Sequence, residues 1–156
     1  MMSWEAVSAL AEVVGVIAIV VSLIYVGIQI RTQIRESRIA AMHEIAEAYR
    51  DAMKAIGDIE FGKIADKAHQ DFDSLSDPER MVLIVTYLGV FRVCEEAFIQ
   101  FELGRLDSRY WEGMEKETKI LMGVPSAAKF WAMRNFLFDE KFQQYVNSLS
   151  VTDWKL

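Results

Sequence analysis

Cysteine, histidine and proline are scarce in this chain of 156 residues, and the common catalytic signatures are missing from it. The single cysteine, Cys94, excludes an intrachain disulfide. The sequence contains no Walker loop, no G-x-G-x-x-G, no H-E-x-x-H, no C-x-x-C and no G-x-S-x-G motif. The net charge of −6 argues against a nucleic-acid-binding protein, which would need a basic surface. We therefore expect no catalytic residue, no bound metal and no cofactor.

Charge is also missing from a long run near the amino terminus, where residues 13–30 read VVGVIAIVVSLIYVGIQI. As a helix this run is about 27 Å long, close to the roughly 30 Å of a bilayer's hydrocarbon core. A core helix of a small soluble domain rarely stays apolar on every face for so long. A signal peptide carries positive charge before its apolar run, but here Glu5 and Glu12 precede it and no A-x-A cleavage site follows. The sequence predicts a retained transmembrane helix over residues 1–31.

Three arginines directly after the apolar run predict its orientation. Positive residues beside a span stay in the cytoplasm, so Arg31, Arg35 and Arg38 place the C-terminal bulk inside and the N-terminus outside. The same cluster is suited to anionic lipid headgroups. The depth of Glu12 is left open. It lies at the water boundary if the span begins at Val13, or within the hydrocarbon, where it would need a partner or a water-filled lumen.

Small and polar residues recur every seven positions in this helix and therefore fall on one stripe of its surface. The stripe contains A-x-x-x-G and A-x-x-x-S pairs, a spacing that lets two helix backbones approach closely. Such residues are also common in spans that make no contact, but we interpret the stripe as a face that packs on another membrane helix or, alternatively, lines a lumen. Its members are Ser8, Ala11, Glu12, Gly15, Ala18, Ser22 and Gln29.

The remainder of the chain shows helical periodicity and no alternating strand pattern. Neither proline nor glycine occurs between Arg31 and Gly57, which predicts a juxtamembrane helix over residues 32–57 that continues the span. Residues 58–156 then form a cytoplasmic helical domain. The sequence predicts an all-α protein, in which one N-terminal transmembrane helix continues into an irregular bundle of five or six helices.

Capping residues mark where the helices of this domain begin and end. Ser76 and Glu79 form an S-x-x-E capping box, Asp107 or Ser108 caps a further helix, and Asp139 caps the last one. Gly104 follows the last periodic residue of the central helix, the usual place of a C-terminal glycine.

Three charged residues, Arg92, Glu95 and Glu96, interrupt the most apolar helix of the domain. Their i,i+3 and i,i+4 spacings allow Arg92 to pair with either carboxylate. A charge in a core must be paired, so we expect a buried structural ion pair. A ligand or metal pocket built on one of the glutamates is the alternative.

The two histidines each lie near a residue that could share a site with them. Asp66-x-x-His69 has the spacing of a bundle metal site, but such a site needs a second copy of this spacing, which the sequence lacks, so we expect a solvated helix surface. Arg38 and His43 match the loose R-x4-H signature of the HEPN ribonucleases, an all-helical class. One match in a chain of this length is weak evidence.

Three segments resemble an uncharacterised family of short, single-pass bacterial inner-membrane proteins with a C-terminal helical domain. They are AEVVGVIAIVVSLIYVGIQIR, EEAFIQFELGRLDSRYWEGM and KFWAMRNFLFDEKFQQYV, which together extend over most of the chain. The resemblance implies an inner-membrane location. No family activity comes with it, so it assigns no catalytic residue.

The function that the sequence favours is that of a non-enzymatic, membrane-anchored helical protein that associates with its own copies or docks onto a membrane complex. The expected partners are the lipid bilayer and a second copy or other membrane subunits, with no nucleic acid. An oligomeric membrane pore or ion channel lined by the N-terminal helix is the first alternative. A HEPN-like ribonuclease is the second.

Overall fold

The computed structural model describes residues 4–150, apart from the side chains of Glu5 and Ala6, and this part of the chain is helical without a strand. The predicted all-α class is therefore confirmed. Six α-helices and two short 3-10 helices follow one another along the described chain. They are α1 Trp4–Ile56, α2 Ile59–Gln70, a 3-10 helix Phe72–Ser74, α3 Asp77–Glu102, α4 Ser108–Gly123, α5 Pro125–Arg134, a 3-10 helix Asn135–Leu137, and α6 Glu140–Ser148.

The first helix is unbroken for 53 residues and ends directly before Gly57, as the absence of proline and glycine between Arg31 and Gly57 predicts. The chain divides into two compact units, Met1–Ile39 and Ala40–Leu156. The second unit therefore includes the last part of α1 as well as the helices that follow it. The reason is packing: Ile45 is buried in the core of the second unit, and Met42 and Tyr49 lie against that core.

The helices of the second unit begin at the capping residues that the sequence indicates. The side chain of Asp107 accepts the backbone N–H of Arg109, and the side chain of Asp139 accepts that of Lys141. At the start of α3, the Glu79 carboxylate accepts the backbone N–H of Ser76 at 2.7 Å, which closes the predicted capping box.

The end of α3 also follows the prediction. Gly104 has a φ of +67°, a left-handed conformation that glycine adopts without the steric cost of a Cβ. This turn brings the backbone N–H of Arg105 to the carbonyl of Gln100 at 2.9 Å, so that one of the last carbonyls of the helix is satisfied.

The Glu79 carboxylate ties the start of α3 to α2, and its contribution should depend on pH. A hydrogen bond from Lys67, 2.8 Å away, and those from Ser76 lower the pKa of Glu79 from 4.5 to about 2. A carboxylate with a lowered pKa stabilises the fold above pH 4.5 and loses this contribution as the pH falls toward 2. We expect Glu79→Gln to melt below the wild type at pH 7 and the gap to narrow as the pH falls from about 4.5 toward 2. A gap that is constant with pH would contradict the role of the charge.

Aromatic side chains dominate the core of the second unit. Phe91 on α3 is fully buried and contacts rings of α5 and of the segment that follows it: its ring centre lies 5.6 Å from Phe130, 4.9 Å from Trp131 and 6.0 Å from Phe138. Such ring pairs contribute about 0.5–1.5 kcal/mol each beyond the area they bury. Phe142 of α6 completes the group through Trp131, 5.7 Å away. These contacts hold α3, α5 and α6 together.

Candidate functional site

The N-terminal helix presents a continuous apolar surface that the rest of the described chain leaves uncovered. Every large aliphatic side chain between Val7 and Ile34 is exposed. By length and composition α1 can cross a membrane. A core helix of a soluble protein passes the same test but is mostly buried, whereas none of the most apolar part of α1 is buried. This apolar surface of residues 7–34 is the first candidate site.

The stripe of small and polar residues runs along this same surface. Its members are all exposed: Ser8, Ala11, Glu12, Gly15, Ala18, Ser22 and Gln29, which we call the small-residue face. A Cβ built on Gly15 meets no atom of its own chain within 4 Å, so the groove at this position is open. The hydroxyl of Ser22 donates to the carbonyl of Ala18 at 2.8 Å, so that it is satisfied within the helix and needs no water-filled lumen.

The three arginines after the apolar run lie within two turns of α1, and all three are exposed. Within residues 4–150 none of them forms an ion pair. Because residues three and four apart share one side of a helix, Arg31, Arg35 and Arg38 form a basic patch directly beside the apolar surface. Their guanidinium groups are available to phosphate.

The ion pair predicted on α3 joins Arg92 to Glu95, whose side chain is only 8% exposed. The other oxygen of Glu95 accepts the backbone N–H of Asp139 at 2.6 Å. Arg92 donates to the carbonyl of Leu137 at 2.8 Å and lies 4.8 Å from the centre of the Phe138 ring. The pair therefore fastens the start of α6 to α3, which is a structural role.

Glu96, the other carboxylate with which the spacing allows Arg92 to pair, takes no part in this ion pair. Consecutive residues of a helix point about 100° apart, so that Glu95 faces the core while Glu96 is exposed. Glu96 accepts a hydrogen bond from the Gln100 side chain at 2.7 Å instead.

Both histidines lie on exposed helix surfaces. Arg38 and His43, the two residues of the R-x4-H match, are exposed on α1, and Asp66 and His69 are exposed on α2. Asp66 accepts a hydrogen bond from the Gln70 side chain at 3.2 Å. Across the part of the chain that the structure describes, no three His, Cys, Asp or Glu side chains are grouped as metal ligands would be.

A cavity of about 390 Å³ lies within the second unit, between α2, α3, α4 and the end of α1. Its walls are mostly aliphatic and aromatic, with Ile56, Phe61, Val90 and Leu121 among them. Its volume is in the range of small-molecule sites, which extends from about 300 to 1,000 Å³. This cavity is the second candidate site.

A few polar groups line the cavity, and burial raises the pKa of Tyr49, Tyr87 and Cys94. Burial raises the pKa of the Tyr49 hydroxyl, and the Glu117 carboxylate facing it raises that pKa further, so Tyr49 remains a neutral hydrogen-bond donor. Burial raises the pKa of the Cys94 thiol to about 11, which keeps this thiol protonated and slow to react near neutral pH.

No sequence pattern identifies the cavity. Its lining comes from four helices that are distant in sequence, and no motif links Tyr49 with Glu117. Asp66 and His69 belong to it, but from the sequence we expected them on a solvated helix surface. The sequence feature that relates to the cavity is Cys94 in an apolar helix. It indicates that the thiol is buried, but it does not indicate a neighbouring cavity.

No family model, curated protein or solved structure that we compared with this chain matches it. The resemblance to single-pass inner-membrane proteins therefore stays a prediction. The arguments below rest on the geometry of the described residues.

Proposed function

We propose that this protein is a single-pass membrane protein whose N-terminal helix anchors a helical domain to the bilayer and associates with other membrane helices. The uncovered apolar surface of residues 7–34 carries the proposal. Transfer of one large aliphatic side chain out of water contributes about 1.5–3 kcal/mol. More than ten such side chains act together here, so lipid is the surrounding that this helix favours.

The internal hydrogen bonds of α1 support the same proposal. A helix in lipid must satisfy its polar groups by itself, because the hydrocarbon offers no partners. The hydroxyls of Ser22 and Thr32 donate to carbonyls one turn earlier, at 2.8 Å and 3.1 Å. Both side chains can therefore enter the membrane without an unsatisfied donor.

The small-residue face is the part of α1 that we assign to helix association. Close backbone approach needs small residues on the contact surface, and van der Waals packing then replaces contacts with lipid. The chain leaves the Gly15 position open to a neighbour. We propose a second copy of this chain as the neighbour, with a helix of another membrane subunit as the alternative.

The proposed compartment is the bacterial inner membrane, with the N-terminus outside and the second unit in the cytoplasm. The exposed patch of Arg31, Arg35 and Arg38 supports this orientation, because cationic residues beside a span are retained on the cytoplasmic side. The same patch lies where it can bind anionic headgroups.

Replacing these three arginines with alanine is expected to weaken the orientation. In the wild type, protease should digest the second unit in inverted vesicles and spare it in right-side-out vesicles. The triple variant should give a mixed population, because the charge difference across the span is removed. A matched control removes three exposed lysines of the second unit, Lys116, Lys129 and Lys141, and should leave the orientation unchanged. Protection of the second unit in inverted vesicles would contradict the proposal.

A further inference from the structure

We propose that the cavity of the second unit binds a small hydrophobic cation, an amine or quaternary ammonium group joined to an apolar body. This site lies wholly within the second unit. The proposal goes beyond membrane anchoring and does not depend on it. Size, charge and aromatic lining each argue for this class of ligand.

The apolar body of the ligand is suited to the size and walls of the cavity. A space of about 390 Å³ accepts a molecule larger than a few waters, and its lining offers few polar partners to water. An apolar group that enters it exchanges contact with water for contact with side chains such as Ile56, Val90 and Leu121.

The charged residues of the lining determine whether the cavity favours a cation or an anion. Asp66 on α2 and Glu117 on α4 both line the cavity and are exposed, which places them at its mouth. Within the described residues, neither carboxylate forms an ion pair with lysine or arginine, and the lining contains neither residue type. His69 also lines the cavity. The mouth is therefore negative and favours cations over anions.

Aromatic side chains of the cavity lining add to the attraction. Tyr49, Phe61 and Tyr87 line the cavity, and the rings of Phe61 and Tyr87 meet edge to face with their centres 5.6 Å apart. The Tyr87 hydroxyl forms a hydrogen bond with the Ser126 hydroxyl at 2.7 Å and therefore already has a hydrogen-bond partner. Ring faces attract ammonium groups, and aromatic cages with carboxylates are a known way to bind quaternary ammonium.

Cys94 provides a built-in reporter, because it lines the cavity and is the one cysteine of the chain. The full-length protein is placed in nanodiscs of uncharged phosphatidylcholine, so that the lipid surface itself attracts neither ion. The rate of Cys94 modification by 4,4′-dithiodipyridine is then measured at pH 9, where more of the thiol is ionised than at neutral pH. We expect benzyltriethylammonium to slow the reaction in a saturable manner and 4-tert-butylbenzoate to have no effect at the same concentrations.

The paired substitution Asp66→Asn with Glu117→Gln tests the role of the mouth. Both side chains are exposed and without a cationic partner in residues 4–150, so the variant should fold. We expect it to bind benzyltriethylammonium about tenfold more weakly, since two exposed ion pairs contribute up to about 1 kcal/mol each. The control, Glu102→Gln with Glu112→Gln, removes the same charge from exposed positions outside the lining and should bind like the wild type.

Three results would overturn the proposal. One is equal protection of Cys94 by the cation and the anion, and another is no protection by the cation up to its solubility limit. The third is unchanged cation affinity in the Asp66→Asn, Glu117→Gln variant. A membrane anchor without this site would give the second result and still remain with the membrane, so failure here is distinguishable from failure of the proposed function.

Discussion

The variant Gly15→Leu is expected to dissociate the proposed assembly, which would appear as a fall in the mass of the protein–detergent complex toward that of one chain. Overpacking a close helix contact costs about 1–3 kcal/mol, which is about 5-fold to 150-fold in the association constant. The chain itself has room for the new side chain, because a Cβ at Gly15 meets no atom of its own within 4 Å. A fall in the mass of the protein–detergent complex would therefore report on the contact between helices rather than on folding.

Gly27→Leu is the matched control for this experiment. Gly27 lies in the same apolar run and is equally open, with no atom within 4 Å of a built Cβ. Twelve residues separate it from Gly15, which places the two about 120° apart around the helix. Gly27→Leu should keep the wild-type mass. Equal masses for Gly15→Leu and the wild type would contradict association through the small-residue face. If Gly15→Leu and Gly27→Leu lowered the mass equally, the contact between helices would not be located on that face.

The variant Phe91→Ala is expected to destabilise the second unit by about 3–5 kcal/mol, the cost of removing a fully buried ring. Contacts with Phe130, Trp131 and Phe138 are lost together, because all three rings lie within 6.0 Å of the ring centre of Phe91. For a unit of this size the midpoint of thermal unfolding should fall by about 12–20 °C. Near-ultraviolet circular dichroism measures this, since it reports on packed tryptophan rather than on helix content.

Phe136→Ala is the control for this effect. Phe136 is a phenylalanine of the same unit, but its side chain is 67% exposed. Its removal should change the free energy of unfolding by less than about 0.5 kcal/mol. If the two variants lost the same stability, the aromatic group around Phe91 would not be the centre of the core.

The helices of the second unit could be predicted because the signals that delimit them are local. Asp107 and Asp139 cap their helices through side-chain bonds to residues two or three positions ahead, and Gly104 ends α3 through its own backbone conformation. A capping residue acts within one helical turn, so its effect can be predicted from the residues next to it in the sequence. The same holds for the second half of α1, in which neither proline nor glycine occurs between Arg31 and Gly57.

Features that depend on contacts between distant segments could not be predicted in this way. The start of the second unit at Ala40 depends on where Ile45 meets the core. The partners of Arg92 and Glu95 at Leu137 and Asp139 lie more than forty positions along the chain. Periodicity shows which side of a helix is apolar, but not which other helix covers it.

The cavity is the clearest case of this limit. It exists because four helices leave space between them, and a space has no signature in the order of residues. Glu117 looked like one of many exposed acidic residues, and only its position beside Tyr49 distinguishes it. The uncovered surface of α1, by contrast, was visible as a run without charge, because its partner in our proposal is lipid rather than another part of the chain.

The most direct test of the membrane-spanning helix is the behaviour of the full-length protein when cell membranes are washed and extracted. We predict that it stays in the membrane fraction through high-salt and alkaline carbonate washes and is released only by detergent. Recovery of the folded protein in the aqueous phase without detergent, monodisperse and with α1 intact, would contradict the proposal.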